Sequence, residues 1–124
     1  MGRYYEGDIS GKFMFSVQSS DDADFFGSEG HSSYLNYHFD KDDHMTSIEK
    51  GIKTCKIELG AWKESLDKFF KNNNGWNDKM LEDQINLSPE KSPGILTWYA
   101  RLELGEKIKK CVEENGDCSF EAEI

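Results

Sequence analysis

The sequence predicts one α+β domain, in which helices cover one face of an antiparallel sheet. Apolar and polar residues alternate in segments near both ends of the chain, as in half-buried strands. A central segment instead repeats apolar residues every three or four positions, as in an amphipathic helix. Strands gathered before helices are typical of α+β folds. At 124 residues the chain has the length of one domain, so we assign residues 1–124 to it.

Four segments carry the predicted strands and the loop between them. Residues Tyr4 to Gln18 predict a β-hairpin with Phe13, Phe15 and Val17 on one face. Its turn is either Gly7-Asp8 or, preferred here, Ser10-Gly11 or a nearby pair. The segment Ser19–Ser33 is a polar loop whose Phe25-Phe26 pair we expect to dock on the core. Tyr34–Phe39 and Cys118–Ile124 alternate again and predict the two remaining strands.

The helical signal is strongest in the middle of the chain. Its apolar stripe has gaps of three and four residues and consists of Met45, Ile48, Ile52, Cys55, Leu59, Trp62, Leu66 and Phe69. We predict one long helix, with a capping box at Thr46 and Glu49 and a stop at residues 72–75. Gly51 and Gly60 weaken it and mark possible close approach of another backbone.

The long stripe also fits a coiled coil, so a homodimer formed partly through this helix stays an alternative to packing on the sheet. A short helix is predicted at Asn77–Ile85. Another helix begins at Ser92, where Pro93 occupies the first helical position, and runs to about Glu114.

Composition excludes several classes of protein. The chain has no apolar run long enough to cross a membrane, and the segment Met1–Glu6 lacks the apolar region of a signal peptide. Three cysteines without framework spacing favour free thiols in a reducing compartment, so we expect a cytoplasmic protein. The net charge of −9 argues against direct binding of nucleic acid or of anionic membranes. A partner chosen by charge would carry a basic surface.

The negative charge is segregated along the chain. Residues 1–44 carry nine acids and three bases, and residues 113–124 carry five acids and no base, whereas residues 45–112 have a small positive excess. The acids therefore follow the predicted strands and their loops. The candidate protein-binding residues are Glu6, Asp8, Asp21, Asp22, Asp24, Glu121 and Glu123. The alternative interpretation is that these charges only solubilise an exposed sheet face and prevent edge-to-edge association.

Motifs for catalysis and cofactor binding give no comparable signal. The chain has no nucleophile elbow, phosphate-binding glycine loop or EF-hand loop, so we expect no catalytic residue, no cofactor and no metal. The one cluster with metal-ligand chemistry consists of His38, Asp40, Asp42, Asp43 and His44. A metal-dependent hydrolase would use His38, Asp40 and His44 from this cluster. A polar connection between a strand and a helix explains the same residues.

Aromatic residues beside arginine suggest an alternative ligand site. Arg3 and Tyr5 lie together near the start of the chain, and Trp98 and Arg101 lie together on the last predicted helix. Such residues can stack on a base and hold a phosphate, but they are equally common in cores and protein interfaces.

The N-terminal segment carries a resemblance. It reads G-R-Y-Y-E-G-D-I-S-G-K-F over residues 2–13 and V-Q-S-S-D-D-A-D-F-F-G over residues 17–27. These runs resemble the start of small proteins encoded by phages and other mobile elements. The resemblance implies a class, inhibitors of host defence that include anti-CRISPR proteins, and assigns no functional residue.

The function expected from these observations is a non-enzymatic acidic binding protein, a phage-encoded inhibitor that occupies a basic, nucleic-acid-binding surface of a protein partner. An alternative is an oligomer that sequesters an anionic nucleotide signal.

Overall fold

The computed structural model describes residues 4–13, 18, 20, 22–27, 35–73 and 75–122. Within them the chain forms strands β1 (Tyr4–Gly7), β2 (Gly11–Lys12), β3 (Leu35–Asp40) and β4 (Asp117–Ala122). The helices are α1 (Lys41–Leu59), α2 (Trp62–Asn72), α3 (Asp78–Ile85) and α4 (Ser92–Asn115), and a 3₁₀ helix spans Asp22–Phe26. The predicted α+β class is confirmed, with an antiparallel sheet packed against helices.

The sheet has the order β2-β1-β4-β3, and every pairing is antiparallel. The C-terminal strand therefore returns to the sheet, as predicted, and inserts between β1 and β3. The pairing of β1 with β2 confirms the N-terminal hairpin, whose turn lies at residues 8–10 and overlaps both candidate turn pairs. Phe13 is buried, whereas Phe15 and Val17, which share its predicted face, lie outside the described residues.

The first helix begins earlier than the capping box at Thr46 and Glu49 predicted. Asp40 is the N-cap, and its Oδ1 accepts a hydrogen bond of 2.6 Å from the backbone N–H of Asp43. Because Asp40 ends β3 in the extended conformation, one residue closes the strand and starts the helix. The predicted capping box is therefore wrong, since both of its residues lie inside α1.

The predicted single helix is two helices. Gly60 has φ +54° and ψ −131°, a conformation that only glycine adopts readily, and its N–H bonds to the carbonyl of Lys56 as α1 ends. The apolar stripe nevertheless continues across the break, because Leu59 and Leu66 are both buried. The apolar periodicity therefore predicted correctly that Leu59 and Leu66 are buried. It could not distinguish one long helix from two consecutive helices whose apolar faces point to the same core.

The remaining helices follow the prediction closely. Asn77 caps α3 through its side chain, and α4 begins at Ser92 with Pro93 in its first turn. Gly116 ends α4 in the left-handed conformation and leads directly into β4.

The core lies between the inner face of the sheet and the pair α1 and α4. Tyr37, Phe39 and Phe120 stack on one another along that face. Phe26 of the 3₁₀ helix is fully buried and inserts between the two helices. A Cβ at Gly51 or Gly105 would approach the Phe26 ring to 2.7 or 2.5 Å, so these glycines provide the space for it. The expected docking of the Phe25-Phe26 pair is thus confirmed for Phe26.

Over the part of the chain that the structure describes, no helix combines the length and the apolar character needed to span a bilayer.

Candidate functional site

The outer face of the sheet carries a row of carboxylates. Glu6 of β1 lies directly opposite Glu121 of β4, and Asn36 of β3 lies on the other side of Glu121. Alternation along β4 turns Cys118, Phe120 and Ala122 to the core and leaves Asp117, Ser119 and Glu121 exposed. We define the acidic sheet face as the four exposed acids Glu6, Asp8, Asp117 and Glu121.

The backbone fixes this face rigidly. Asp8 follows β1 and extends its pairing with β4, since its N–H donates to the Ser119 carbonyl at 2.7 Å. Its Oδ2 accepts from the N–H of Ser119 at 2.8 Å, which holds the carboxylate at the end of the strand pair. The face is therefore built on two neighbouring strands, β1 and β4, and on the adjoining residue Asp8, which hydrogen bonds hold to β4.

Asn36, His38 and Ser119 lie on the same face beside these acids. Nδ1 of His38 is 2.7 Å from the Ser119 hydroxyl, so the imidazole lies in the next row of the same face. On the other side of β1 lies the edge strand β2, which pairs with β1 at Tyr4 and Tyr5. The acids consequently lie in the centre of the sheet, on β1 and β4.

The structure places the loop acids differently. Asp22 is 4% exposed, and its carboxylate accepts from Nε of Arg101 at 2.7 Å and from Nε2 of Gln18 at 2.8 Å. It is not an exposed carboxylate, which corrects its place among the predicted surface acids. Asp24 is exposed, but its Oδ1 accepts from the Tyr37 hydroxyl at 2.5 Å, beside the helices rather than on the outer sheet face.

Three predicted site residues cannot be placed, since Arg3, Asp21 and Glu123 lie outside the described residues.

Trp98 and Arg101 lie together, as predicted, and Phe25 joins them. The guanidinium carbon of Arg101 is 4.7 Å from the ring centroids of both Phe25 and Trp98, and the two rings meet edge to face at 5.6 Å. Arg101 thus bonds to buried Asp22 while it contacts two aromatic rings. This group of three, Phe25, Trp98 and Arg101, is called the arginine–aromatic cluster below.

Tyr5 belongs to a different part of the molecule. It is buried on the inner sheet face against Phe13 and Phe120, and its hydroxyl accepts from Lys107 Nζ at 2.8 Å. The structure therefore places Tyr5 with Lys107 rather than with Trp98.

The histidine cluster is held by local structural bonds. Nδ1 of His44 accepts the backbone N–H of Asp40 at 3.0 Å, and its ring packs edge-on against Phe39. His38 instead lies on the outer sheet face beside Ser119. Within the described ranges, no three histidine, cysteine or acidic side chains are grouped so that they could hold a metal ion.

The three cysteines are free, buried thiols. Burial raises the pKa of the Cys55 thiol to about 12 and also raises that of Cys118. Both groups are protonated at neutral pH, which makes them poor nucleophiles.

Sequence reasoning missed two contributors to these surfaces. Asp117 was absent from the candidate acids, although the alternation of Cys118 and Phe120 toward the core already turns it outward. Phe25 was assigned only to packing, yet it is 38% exposed. Its meeting with Trp98 depends on the tertiary fold, which no local pattern reveals.

Comparisons with known proteins add no relative: no family model matches the chain, and no curated protein or solved structure is similar to it.

Proposed function

We propose that this chain is a non-enzymatic binding protein whose acidic sheet face covers a basic surface of a protein partner. The observation that carries the proposal is the pairing of Glu6 with Glu121 at the centre of the sheet, flanked by Asp8 and Asp117. Like charges on directly opposed residues destabilise a sheet. A basic partner would relieve that repulsion and gain from the complementary field.

The geometry of the face suits a partner that normally binds nucleic acid. Neighbouring strands lie about 4.8 Å apart, so carboxylates on β1 and β4 form a compact array of negative charge on a rigid support. A surface of lysine and arginine that neutralises phosphates would be attracted to it. Its negative potential would mainly raise the association rate and the specificity.

We further propose that the partner belongs to a host defence system. The protein would then be a phage-encoded inhibitor, such as an anti-CRISPR protein, that acts in the host cytoplasm. This finer step is supported by the resemblance of residues 2–27 and by the charge of the face.

The test compares two variants with the same change of net charge. Glu6→Lys/Glu121→Lys reverses the centre of the face, whereas Glu82→Lys/Asp83→Lys reverses two exposed acids on α3. Each chain is immobilised, host lysate is passed over it, and retained proteins are identified by mass spectrometry and then titrated singly. We expect the first variant to lose at least about tenfold in affinity for a basic partner and the α3 variant to retain it.

Salt provides the second readout. Affinity of the wild-type chain should fall steeply as ionic strength rises, because exposed charges are screened over about 10 Å at 0.1 M salt. Equal binding by both variants, or binding insensitive to salt, would contradict the proposal. For the finer step, the wild-type chain should restore phage growth in a host that carries the relevant defence system, and Glu6→Lys/Glu121→Lys should not.

A further inference from the structure

A cavity beside the arginine–aromatic cluster has the chemistry of a small-ligand site. Its volume is about 400 Å³, within the range of small-molecule pockets, and it lies between the 3₁₀ helix and α1. Its lining residues are Asp24, Phe25, Gly27, Ser47, Lys50, Gly51 and Thr54. None of these belongs to the acidic sheet face.

The aromatic wall of this cavity is held in place before any ligand arrives. Phe25 meets Phe26 and Trp98 edge to face, and the Arg101 guanidinium lies over its ring. Arg101 is itself fixed by its bond to buried Asp22. An exposed phenylalanine fixed from several sides offers a flat apolar surface at little entropic cost.

The opposite wall is formed by α1, and Gly27, which follows the 3₁₀ helix, lies close to it. Gly27 has φ +105°, and a Cβ there would come within 2.6 Å of the Ser47 Cβ. A Cβ at Gly51 would meet the Phe26 ring. The two glycines thus allow the segment Asp24–Gly27 to pack closely on α1, and a Cβ at either position would force the two apart.

The polar groups of the cavity have opposite charges. Lys50 of α1 supplies an ammonium group, and Asp24 supplies a carboxylate whose Oδ1 already accepts from Tyr37. The hydroxyls of Ser47 and Thr54 add hydrogen-bonding capacity, that of Thr54 while it donates to the Lys50 carbonyl. A matching ligand therefore needs a planar ring, an anionic group and a hydrogen-bond donor.

We propose that this cavity binds a nucleoside monophosphate, with the base on Phe25, the phosphate at Lys50 and an amino group of the base donating to Asp24. Stacking on an aromatic side chain is strong for every base. Recognition by an accepting carboxylate distinguishes bases that carry an amino group from uracil, which has none. This site goes beyond the proposed function, because it uses other residues and a different class of ligand.

The experiment titrates the full chain with AMP, GMP, CMP and UMP, each to about 5 mM, and follows backbone amides by NMR. We expect saturable shifts at Ser47, Lys50 and Gly51, with UMP weaker than the other three nucleotides. Shifts confined to the cavity of Lys107 and Lys110, or no saturable shift with any nucleotide, would overturn the proposal.

Matched variants separate the contributions. Lys50→Gln should weaken nucleotide binding about fivefold while the corresponding nucleosides bind as before, because only the phosphate contact is lost. Lys53→Gln, one turn further along α1 and outside the cavity lining, should leave nucleotide binding unchanged. Equal weakening by both lysine variants would contradict the assignment, because it would indicate a general effect of charge.

The stacking contact has its own test. Phe25→Ala should weaken binding about tenfold, and Phe25→Tyr should retain it. Thermal unfolding of both variants shows whether the alanine variant is folded, and an equal loss of binding in folded Phe25→Tyr would exclude stacking. Glu6→Lys/Glu121→Lys should bind nucleotides like the wild type, so failure of this site and failure of the acidic-face proposal can be told apart.

Discussion

At the scale of single residues, the buried ion pair of Asp22 and Arg101 joins the 3₁₀ helix to α4. The Asp22 side chain is 2% exposed, and Nε of Arg101 lies 2.7 Å from it. Removing one partner leaves the other charge buried and unpaired, which typically costs about 3–5 kcal/mol. The pair joins residues 79 positions apart in sequence, so no local pattern could have predicted it.

We predict that Arg101→Met lowers the free energy of unfolding by about 3 kcal/mol. The double variant Asp22→Asn/Arg101→Met should lose less than the sum of the two single changes, because it leaves no uncompensated charge. Urea titration of the four chains measures the cycle. Additive losses would show that the two side chains act independently.

A second residue-scale feature is the carboxyl of Glu103 on α4. Burial raises its pKa above the ordinary value of 4.5, although Lys107 and Tyr99 act in the opposite direction. A group whose pKa is raised on folding binds protons more readily in the folded state. Its contribution to stability is present below the unfolded pKa and is lost as pH rises through the folded pKa.

Nearby, Asp67 behaves in the opposite sense. Burial alone would raise its pKa, but hydrogen bonds from Lys63 and Tyr99 outweigh burial and lower it. Its contribution is therefore present above pH 3.8 and is lost as pH falls through the folded pKa.

The raised pKa of Glu103 gives a prediction for the Glu103→Gln variant. The variant should be more stable than the wild type at pH 7, because it removes a charge that burial disfavours. The difference should shrink as pH falls toward 4, where Glu103 becomes protonated in the wild type. Thermal melts across this range check it, with Glu106→Gln as an exposed control on the same helix. A stability difference that grows toward acid would contradict the assignment.

At the scale of elements, the sequence allowed the type and order of the main elements to be predicted, but one junction was wrong. The alternation of apolar and polar residues predicted β3 and β4, and the proline in the first turn predicted the start of α4. The break at Gly60 was missed because the apolar stripe continues through it. The close approach suggested at Gly51 is made by the buried ring of Phe26 and not by a backbone.

The different backbone conformations of Gly60, between α1 and α2, and Gly94, in α4, predict opposite effects of alanine on stability. Gly60→Ala should destabilise the protein by about 1–2 kcal/mol, since alanine is strained at φ +54°. Gly94→Ala lies in the first turn of α4, where a Cβ meets nothing within 4 Å, and should stabilise by about 0.5 kcal/mol. Chemical denaturation measures both. Equal stability of Gly60→Ala and wild type would mean that the junction relaxes without strain.

At the scale of the whole molecule, the segregation of charge along the sequence correctly predicted acids on the sheet but overestimated the acidic surface. Glu6, Asp8 and Glu121 are exposed at the sheet, because strand alternation already determines which side chains point outward. Asp22 is buried and Asp24 lies beside the helices, because the 3₁₀ helix folds back between α1 and α4. Loop residues follow tertiary packing, which composition does not encode.

The opposed pair of Glu6 and Glu121 allows a decisive comparison of stability with binding. Because the two side chains lie directly across neighbouring strands, Glu121→Gln should stabilise the isolated protein by about 0.5 kcal/mol at low ionic strength. The gain should shrink as salt screens the repulsion, which urea titrations at several ionic strengths measure. Glu82→Gln, an exposed acid on α3, is the matched control and should show no such salt-dependent gain.

The same substitution should weaken binding to a basic partner, so stability and affinity should change in opposite directions. This opposition distinguishes a binding surface from charges that only keep the molecule in solution. If the acids served solubility alone, Glu121→Gln and Glu82→Gln would affect partner binding equally. If the face binds a basic surface, Glu121→Gln should bind less well than the wild type although it is more stable. The substitution removes the repulsion between Glu6 and Glu121, and that repulsion is what a basic partner would otherwise neutralise.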